Sequence, residues 1–128
     1  MARPTVLVVE DDAAIRNLLV EYLGQDDALQ VDSVRDGVEA LHRLGTRHYD
    51  VVVLDLLMPH MSGIDVLDSL QILSIPEPPA VLVITSESSE TIGDGDIQRR
   101  CPSVVREVLR KPFDIARLAQ SVETLCSR

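Results

Sequence analysis

The sequence predicts an α/β fold in which a parallel sheet carries helices on both faces. Short apolar runs alternate along the chain with segments whose apolar residues recur at helical spacing. The apolar runs contain no regular polar alternation, which is typical of strands buried on both faces of a parallel sheet. The 128 residues, of which 45% are hydrophobic, suit one compact core. We therefore expect a single domain over residues 1–128.

Five segments predict strands, because they are rich in Val, Ile and Leu and most of them stop at a polar residue. The first stops at three consecutive acids, Glu10, Asp11 and Asp12, and the third stops at Asp55. The predicted strands are residues 5–9, 29–34, 51–54, 80–84 and 104–109.

Four segments predict regular helices, since their apolar residues recur three and four positions apart. The third begins near Gly63, where Ser62 and Asp65 fit a capping box, and the last has Asp114 as its N-cap. The apolar positions are Ile15, Leu18, Leu19, Tyr22 and Leu23 before Gly24; Val38, Leu41 and Leu44 before Gly45; Ile64, Leu67 and Leu70; and Ile115, Leu118, Ala119, Val122 and Leu125.

The stretch between Thr85 and Val104 is polar and shows no sustained apolar face. A further helix there, the fourth in chain order, is expected to be short or irregular. Strands that alternate with helices, joined by right-handed crossovers, form a doubly wound sheet. We predict a flavodoxin-like, five-stranded parallel sheet with strand order 2-1-3-4-5.

Charge and composition exclude several functions. The net charge of −9 argues against a nucleic-acid surface, because phosphate backbones are held by clustered Lys and Arg. The N-terminal apolar run is too short for a signal peptide or a membrane span. The two cysteines, Cys101 and Cys126, fit neither a metal spacing nor a disulfide framework. We expect a cytoplasmic protein without a membrane segment or direct nucleic-acid binding.

Acidic residues follow the first and third predicted strands, which are neighbours in this strand order. Glu10, Asp11 and Asp55 are therefore expected to converge at the carboxyl edge of the sheet. Converging carboxylates repel one another unless a cation neutralises them, and Mg²⁺ prefers such hard oxygen ligands. Asp12 has a competing interpretation as the N-cap of the helix that begins at Ala13.

A carboxylate can act as a nucleophile toward phosphorus, and Asp55 is the best candidate because apolar residues follow it. Phosphoryl transfer needs positioning and charge neutralisation, which a metal and one ammonium supply. Eleven of the twelve basic residues are arginines, and the single lysine, Lys111, follows the last predicted strand. Thr85, after the fourth strand, offers a hydroxyl to a phosphoryl oxygen.

Four motifs together resemble the signatures of response-regulator receiver domains, and the resemblance covers essentially the whole chain. The motifs are Val-Leu-Val-Val-Glu-Asp-Asp, Val-Val-Leu-Asp-Leu-Leu-Met-Pro-His-Met-Ser-Gly, Val-Ile-Thr-Ser and Lys-Pro-Phe, in the family's order. The resemblance implies that Asp55 is the phospho-acceptor and, with Asp11, a direct ligand of Mg²⁺. It further implies that Glu10 holds the metal through water and that the backbone carbonyl of Leu57 is the remaining protein ligand.

The same resemblance assigns the other motif residues. Lys111 is expected to pair with the phosphoryl group and Thr85 to be the switch hydroxyl. A cis peptide bond is expected before Pro112. The turn after the acceptor is expected to be shaped by Gly63 and by Met58-Pro59.

As a function, the resemblance implies a receiver that takes a phosphoryl group from a histidine kinase or histidine phosphotransfer protein in a Mg²⁺-dependent reaction. The receiver then switches conformation to control an output protein or domain, as a monomer or a phosphorylation-dependent dimer. It is not expected to be an enzyme, apart from catalysing its own phosphorylation and slow dephosphorylation.

Three positions bear on how closely the chain follows the family. Val108 stands where an aromatic residue usually couples to the switch hydroxyl. Leu57 and Glu87 occupy the positions that tune how water reaches the phosphoryl group, and an apolar Leu57 is expected to slow dephosphorylation. The segment from Thr85 to Lys111 is also slightly long for the family.

Two other functions need residues that this sequence lacks at the relevant positions. An aspartyl-phosphate hydrolase normally needs a second Asp at the position of Leu57, and a nucleotide site needs a Gly-rich loop after the first strand. A phosphorylation-independent docking module is the remaining alternative, which Val108 and the unusual segment after Thr85 leave open.

Overall fold

The computed structural model describes residues 3–58, 61–73, 75, 77–86 and 104–126. This part of the chain contains five strands and four helices, which alternate from β1 to β4. The strands are β1 (Thr5–Val9), β2 (Gln30–Val34), β3 (Val51–Asp55), β4 (Ala80–Ser86) and β5 (Val105–Lys111). The helices are α1 (Ala13–Gly24), α2 (Gly37–Thr46), α3 (Gly63–Leu73) and α4 (Ile115–Cys126).

The five strands form one parallel sheet in the order β2-β1-β3-β4-β5, which confirms the predicted topology. In this register Val9 of β1 lies beside Leu54 of β3, and Asp55 lies beside Ile84 of β4. Because the strands are parallel, their carboxyl ends meet at one edge of the sheet. The chain segments that follow β1, β3, β4 and β5 therefore begin close together.

Three strands continue further than predicted. The sequence places their ends at residues 54, 84 and 109, whereas β3 continues through Asp55, β4 through Ser86 and β5 through Lys111. The ladder is built from backbone groups, so a polar side chain does not by itself end a strand. As a result Asp55, Thr85 and Lys111 are held by the sheet itself rather than by loops.

Side-chain caps begin the helices where the sequence predicts them. Asp12 caps α1, since its Oδ1 accepts from the N–H groups of Ala14 (2.9 Å) and Ile15 (3.1 Å). Ser62 and Asp65 form the capping box of α3, with hydrogen bonds of 3.1 Å from Ser62 N–H to Asp65 Oδ2 and 3.3 Å from Asp65 N–H to Ser62 Oγ. The Asp12 interpretation as an N-cap is thus confirmed.

The predicted end of the second helix before Gly45 is wrong, because α2 continues to Thr46. Glycine ends a helix when it adopts the left-handed conformation, and no described glycine has a positive φ. Two apolar positions assigned to helix faces are also largely exposed, Leu18 at 54% and Val38 at 62%.

Two apolar clusters cover the two faces of the sheet. Leu7 and Leu54 face the cluster that contains residues of α2 and α3, while Val8 and Val53 face the cluster that contains residues of α1 and α4. Every residue of β3 is buried, as expected for a central strand packed on both faces. This enclosed strand carries Asp55 at its end.

The predicted fourth helix falls mainly on residues 87–103, outside the described residues, as do Cys101, Glu87 and Pro59. Within the described ranges, no helix is both long enough and apolar enough to cross a bilayer.

Candidate functional site

Three carboxylates converge at the carboxyl edge of the sheet. Glu10 directly follows β1, Asp11 follows Glu10, and Asp55 ends the neighbouring strand β3. Oxygen atoms of the three side chains all lie within 4.8 Å of one another. Glu10 and Asp55 are buried, whereas Asp11 is exposed. The structure thus brings together the three acids that the strand order predicts to meet.

Lys111 reaches this cluster from the edge strand β5. Its Nζ lies 3.1 Å from Glu10 Oε1 and 3.4 Å from Asp55 Oδ2. The side chain of Lys111 is 26% exposed. One ammonium therefore bridges two buried carboxylates, and it is the only lysine ammonium in the sequence.

The second oxygen of each buried carboxylate accepts from the backbone. The N–H of Asp12 donates to Glu10 Oε2 (3.3 Å), and the N–H of Leu57 donates to Asp55 Oδ1 (3.1 Å). Glu10 and Asp55 therefore share one pattern, in which an amide holds one oxygen and Lys111 contacts the other. Both carboxylates are fixed in orientation before any ligand arrives.

Excess negative charge shifts the protonation of the cluster. The pKa of Glu10 is raised to about 8, mainly by burial and further by Asp55, which acts both as a hydrogen-bond partner and as a neighbouring negative charge. Burial by itself lowers the pKa of Lys111, but the hydrogen bond to Glu10 and the negative charge of Asp55 outweigh it, so that this pKa is raised. The single ammonium does not compensate the carboxylates fully, and a further cation would be stabilised here.

The turn after Asp55 depends on a glycine. A Cβ atom at Gly63 would lie 2.6 Å from the backbone oxygen of Asp55 and 2.7 Å from Cα of Leu56. The N–H of Gly63 also donates to the carbonyl of Leu56 (3.0 Å). Only glycine permits α3 to begin this close to the end of β3, in accordance with its predicted role. Met58 is buried, while Pro59 lies outside the described residues.

Thr85 contributes a buried hydroxyl near the site. Its side chain is buried, and Oγ1 makes no hydrogen bond within the described part of the chain. In the ladder, Thr85 comes one residue after Ile84, which lies beside Asp55. The hydroxyl is therefore near the carboxyl edge of the sheet, with a donor that no described residue uses.

Several further predictions concern the surroundings of the cluster. The peptide bond between Lys111 and Pro112 is cis, which confirms that expectation. Among the apolar residues that follow Asp55, Leu56 and Met58 are buried, whereas Leu57 is 52% exposed. Val108 is partly buried against the apolar cluster on the α2 and α3 face.

Arg16 also contacts the site, although the motifs do not single it out. Its Nη1 donates to the backbone carbonyls of Glu10 (3.0 Å) and Asp11 (3.4 Å). The sequence feature that could have predicted this contact is the position of Arg16, one turn after the N-cap Asp12 on the helix that begins beside the acids. The loop that carries the acids is thus tied to α1 by a cation.

The donor set fits a hard divalent cation. Three carboxylates offer only oxygen ligands, and the exposed Asp11 leaves one side of the cluster open to water. Mg²⁺ is usually bound by one or two carboxylates together with several waters. The residues present therefore fit a metal of this class.

Comparison with protein families gives a match over residues 6–123 to the response regulator receiver domain. One curated relative is the transcriptional regulatory protein CiaR of Streptococcus pneumoniae, to which the chain is 33% identical over 124 residues. These residues make up 96% of this chain and 51% of the relative. The chain therefore spans about half the length of that curated relative.

Solved structures show the same similarity. The receiver domain of the Francisella response regulator 1452 is 30% identical, with a TM-score of 0.82 and coverage of 98% of both chains. A CheY-like response regulator receiver domain from Methylobacillus flagellatus is 28% identical, with a TM-score of 0.77 and coverage of 96% of this chain and 98% of that one. Both matches extend over nearly the whole sheet and its helices.

Proposed function

The chain belongs to the response regulator receiver domain family, and on this basis we propose that Asp55 accepts a phosphoryl group from a histidine kinase or histidine phosphotransfer protein. One observation carries the assignment. Asp55 is the carboxylate at the end of the buried central strand, with one oxygen 3.4 Å from the Lys111 ammonium and the other bonded to the Leu57 amide.

In the proposed reaction a carboxylate oxygen of Asp55 attacks phosphorus. A new O–P bond forms while the P–N bond of the donor phosphohistidine breaks, and the bonding electron pair leaves with the imidazole nitrogen. Lys111 stabilises the negative charge on the phosphoryl oxygens. The Leu57 amide holds the Asp55 carboxylate in one orientation, so that little reorganisation is needed during transfer.

We propose that Mg²⁺ is held by Asp11, Asp55 and the backbone carbonyl of Leu57, with Glu10 acting through a water molecule. When bound, the metal would neutralise charge on the phosphoryl oxygens. Asp11 is exposed, and no described residue hydrogen-bonds to its carboxylate, which suits a direct ligand.

Thr85 is proposed as the residue that responds to phosphorylation. The phosphoryl group adds three acceptor oxygens, and the buried Thr85 hydroxyl makes no hydrogen bond to any described residue. Moving a two-state equilibrium from 1:99 to 99:1 takes about 5.5 kcal/mol, and a hydrogen bond to a charged group contributes roughly 1.5 to 3 kcal/mol. Two or three contacts, from Thr85, Lys111 and a backbone amide, are therefore sufficient.

Family membership also suggests how the domain acts on its output. We propose that residues 1–128 form one domain that controls an output protein or domain, as a monomer or as a phosphorylation-dependent dimer, in the cytoplasm and without direct nucleic-acid contact. We also propose that the receiver catalyses its own phosphorylation and slow dephosphorylation. A docking module that needs no phosphorylation is not favoured, because the acidic cluster and Lys111 are assembled together.

The test exposes the protein to acetyl phosphate, with Mg²⁺ or with EDTA, and follows its intact mass. We expect one added phosphoryl group with Mg²⁺, almost none with EDTA, and none in Asp55→Asn. Asp27→Asn is the matched control, because Asp27 is an exposed aspartate in the turn before β2, away from the carboxyl edge. Full phosphorylation of Asp55→Asn would refute the assignment.

A further inference from the structure

We propose that Arg16 is a positioning residue of the metal site, whose guanidinium fixes the backbone of Asp11 and thereby aims the Asp11 carboxylate at the cluster. This inference rests on the proposed function, since it assumes that Asp11 is a metal ligand. The inference adds Arg16, a residue of α1, to the acids, the lysine and the threonine already placed at the site.

The two carbonyls that Arg16 contacts flank one residue. The carbonyl of Glu10 belongs to the peptide group before Cα of Asp11, and the carbonyl of Asp11 belongs to the peptide group after it. Arg16 Nη1 donates to the first at 3.0 Å and to the second at 3.4 Å. Peptide groups are planar, so holding both restricts the two backbone torsions of Asp11 and the direction of its Cα–Cβ bond.

The second of these peptide groups is held from both sides. Its carbonyl accepts from Arg16, and its N–H, which belongs to Asp12, donates to Glu10 Oε2 at 3.3 Å. The buried Glu10 carboxylate and the Arg16 guanidinium thus fix the same peptide plane. Contacts of this kind confine a loop that the sheet no longer restrains, since β1 ends at Val9.

Arg16 is itself firmly placed. Asp12 caps α1 through Oδ1, and the N–H of Arg16 donates to the carbonyl of Asp12 at 2.9 Å. The helix that Asp12 begins therefore carries the side chain that returns to Glu10 and Asp11. A planar, permanently charged guanidinium suits this role, because it keeps its donors at every physiological pH.

Asp11 needs such support more than the other acids do. Glu10 and Asp55 are buried and bonded through both oxygens, whereas Asp11 is exposed, and within the described ranges no hydrogen bond to its carboxylate occurs. Neither packing nor side-chain partners define its position. The position of the Asp11 carboxylate therefore depends on the Asp11 backbone, which Arg16 holds.

Positioning and charge predict opposite effects for the loss of Arg16. A positive charge near the acids opposes a second cation, so its removal would tighten Mg²⁺ binding if electrostatics alone mattered. Loss of a group that orients a metal ligand instead weakens binding, typically by about 10- to 100-fold. The sign of the change in Mg²⁺ affinity therefore decides between the two roles.

The experiment measures the Mg²⁺ dissociation constant of the unphosphorylated protein by calorimetry, for the parent, Arg16→Ala, Arg16→Lys and Arg35→Ala. Arg35 is the matched control, because it is an exposed arginine directly after β2, at the same edge of the sheet. We expect Arg16→Ala to weaken binding about tenfold or more. Arg16→Lys should recover most of the loss, and Arg35→Ala should bind as the parent does or slightly more tightly.

A second readout needs no metal. In EDTA, hydrogen exchange of the Asp12 amide should be faster in Arg16→Ala than in the parent, while exchange within β1 stays unchanged. If Arg16→Ala does not fold, Arg16→Gln supplies the same comparison. A parent that binds Mg²⁺ and an Arg16→Ala variant that binds it equally or more tightly would overturn the positioning role alone. A parent that binds no Mg²⁺ would overturn the proposed metal site itself.

Discussion

Lys111 Nζ lies 3.1 Å from Glu10 Oε1, although 101 residues separate the two along the chain. The contact joins the first strand of the sequence to the last and crosses the end of β4, which lies between β3 and β5. It also brings the ammonium to 3.4 Å from Asp55. Assembly of the site therefore requires the four strands from β1 to β5 in the sheet order β1-β3-β4-β5, and the lysine offsets carboxylate repulsion in the unmodified protein.

Substitution Lys111→Met is expected to destabilise the metal-free protein and to slow phosphorylation strongly. It leaves the buried Glu10 without its cation, which costs about 1 to 3 kcal/mol of unfolding free energy, limited by the ability of Glu10 to take up a proton. Urea unfolding in EDTA and acetyl phosphate kinetics measure the two effects. Arg106→Met, at an exposed position of the same strand, is the control and should change neither.

Substitution Thr85→Ala is expected to leave phosphorylation of Asp55 largely intact but to abolish the structural response. The hydroxyl is buried and unpaired within the described residues, so its loss costs the unmodified protein no hydrogen bond. NMR spectra recorded with and without beryllofluoride should differ in the parent and hardly at all in the variant. Spectra that still shift fully would remove Thr85 from the switch.

Substitution Leu57→Asn is expected to shorten the lifetime of the phosphoryl group. Leu57 follows the acceptor by two residues and its side chain is 52% exposed, so it stands where water would approach. An amide in its place can hydrogen-bond an attacking water, whereas leucine cannot. The lifetimes are compared by intact mass after removal of the donor. A parental lifetime equal to or shorter than that of the variant would exclude shielding by Leu57.

Substitution Gly63→Ala is expected to destabilise the protein by about 1 to 3 kcal/mol, as overpacking does. The added Cβ would meet backbone atoms of Asp55 and Leu56 at 2.6 and 2.7 Å, and backbone cannot rotate away as a side chain can. Gly24→Ala is the matched control, because a Cβ there has no neighbour within 4 Å. That change should instead stabilise α1 by about 0.5 kcal/mol. Thermal or urea unfolding of both variants gives the comparison.

The Tyr49 hydroxyl predicts a loss of stability in alkaline solution. Burial raises the pKa of Tyr49, and so does its hydrogen bond to Asp32 Oδ2 (2.8 Å), because both favour the neutral phenol. This contribution is complete below the ordinary pKa near 10 and is lost as the pH rises through the higher folded value. Tyr49→Phe should cost about 1.5 kcal/mol at neutral pH, and the difference from the parent should shrink in strongly alkaline solution.

Urea unfolding over a range of pH tests this expectation, with Tyr22→Phe as the control for loss of a phenol elsewhere. The expected cost of Tyr49→Phe lies at the low end of the range for a hydrogen bond to a charged group, because Arg43 and Arg47 still contact Asp32 in the variant. A difference between Tyr49→Phe and the parent that grows with pH would contradict the assignment.

The sequence predicts the acidic cluster because its members follow buried apolar runs. Strand order alone then places Glu10 and Asp11 beside Asp55, and the single lysine at the end of the last strand completes the set. Such predictions succeed because the pattern of buried strands determines which strand ends meet. They require no knowledge of side-chain conformation.

Other features depend on local geometry that no pattern encodes. The Arg16 contact depends on how far α1 is rotated, and the extension of α2 past Gly45 depends on whether a glycine adopts a left-handed backbone. The exposure of Leu57 likewise depends on the path of the turn after Asp55. In each case several conformations are compatible with the same residues, and tertiary packing selects among them.

The enclosure of β3 limits how a modification at its tip can be transmitted. All five residues from Val51 to Asp55 are buried, and the strand is bonded to β1 on one side and to β4 on the other. Shifting it would break two hydrogen-bonded ladders and disturb packing on both faces. The strand should therefore act as a rigid support. We expect the conformational change that follows modification of Asp55 to occur in the loops at the carboxyl edge of the sheet, and not by movement of β3 within the core.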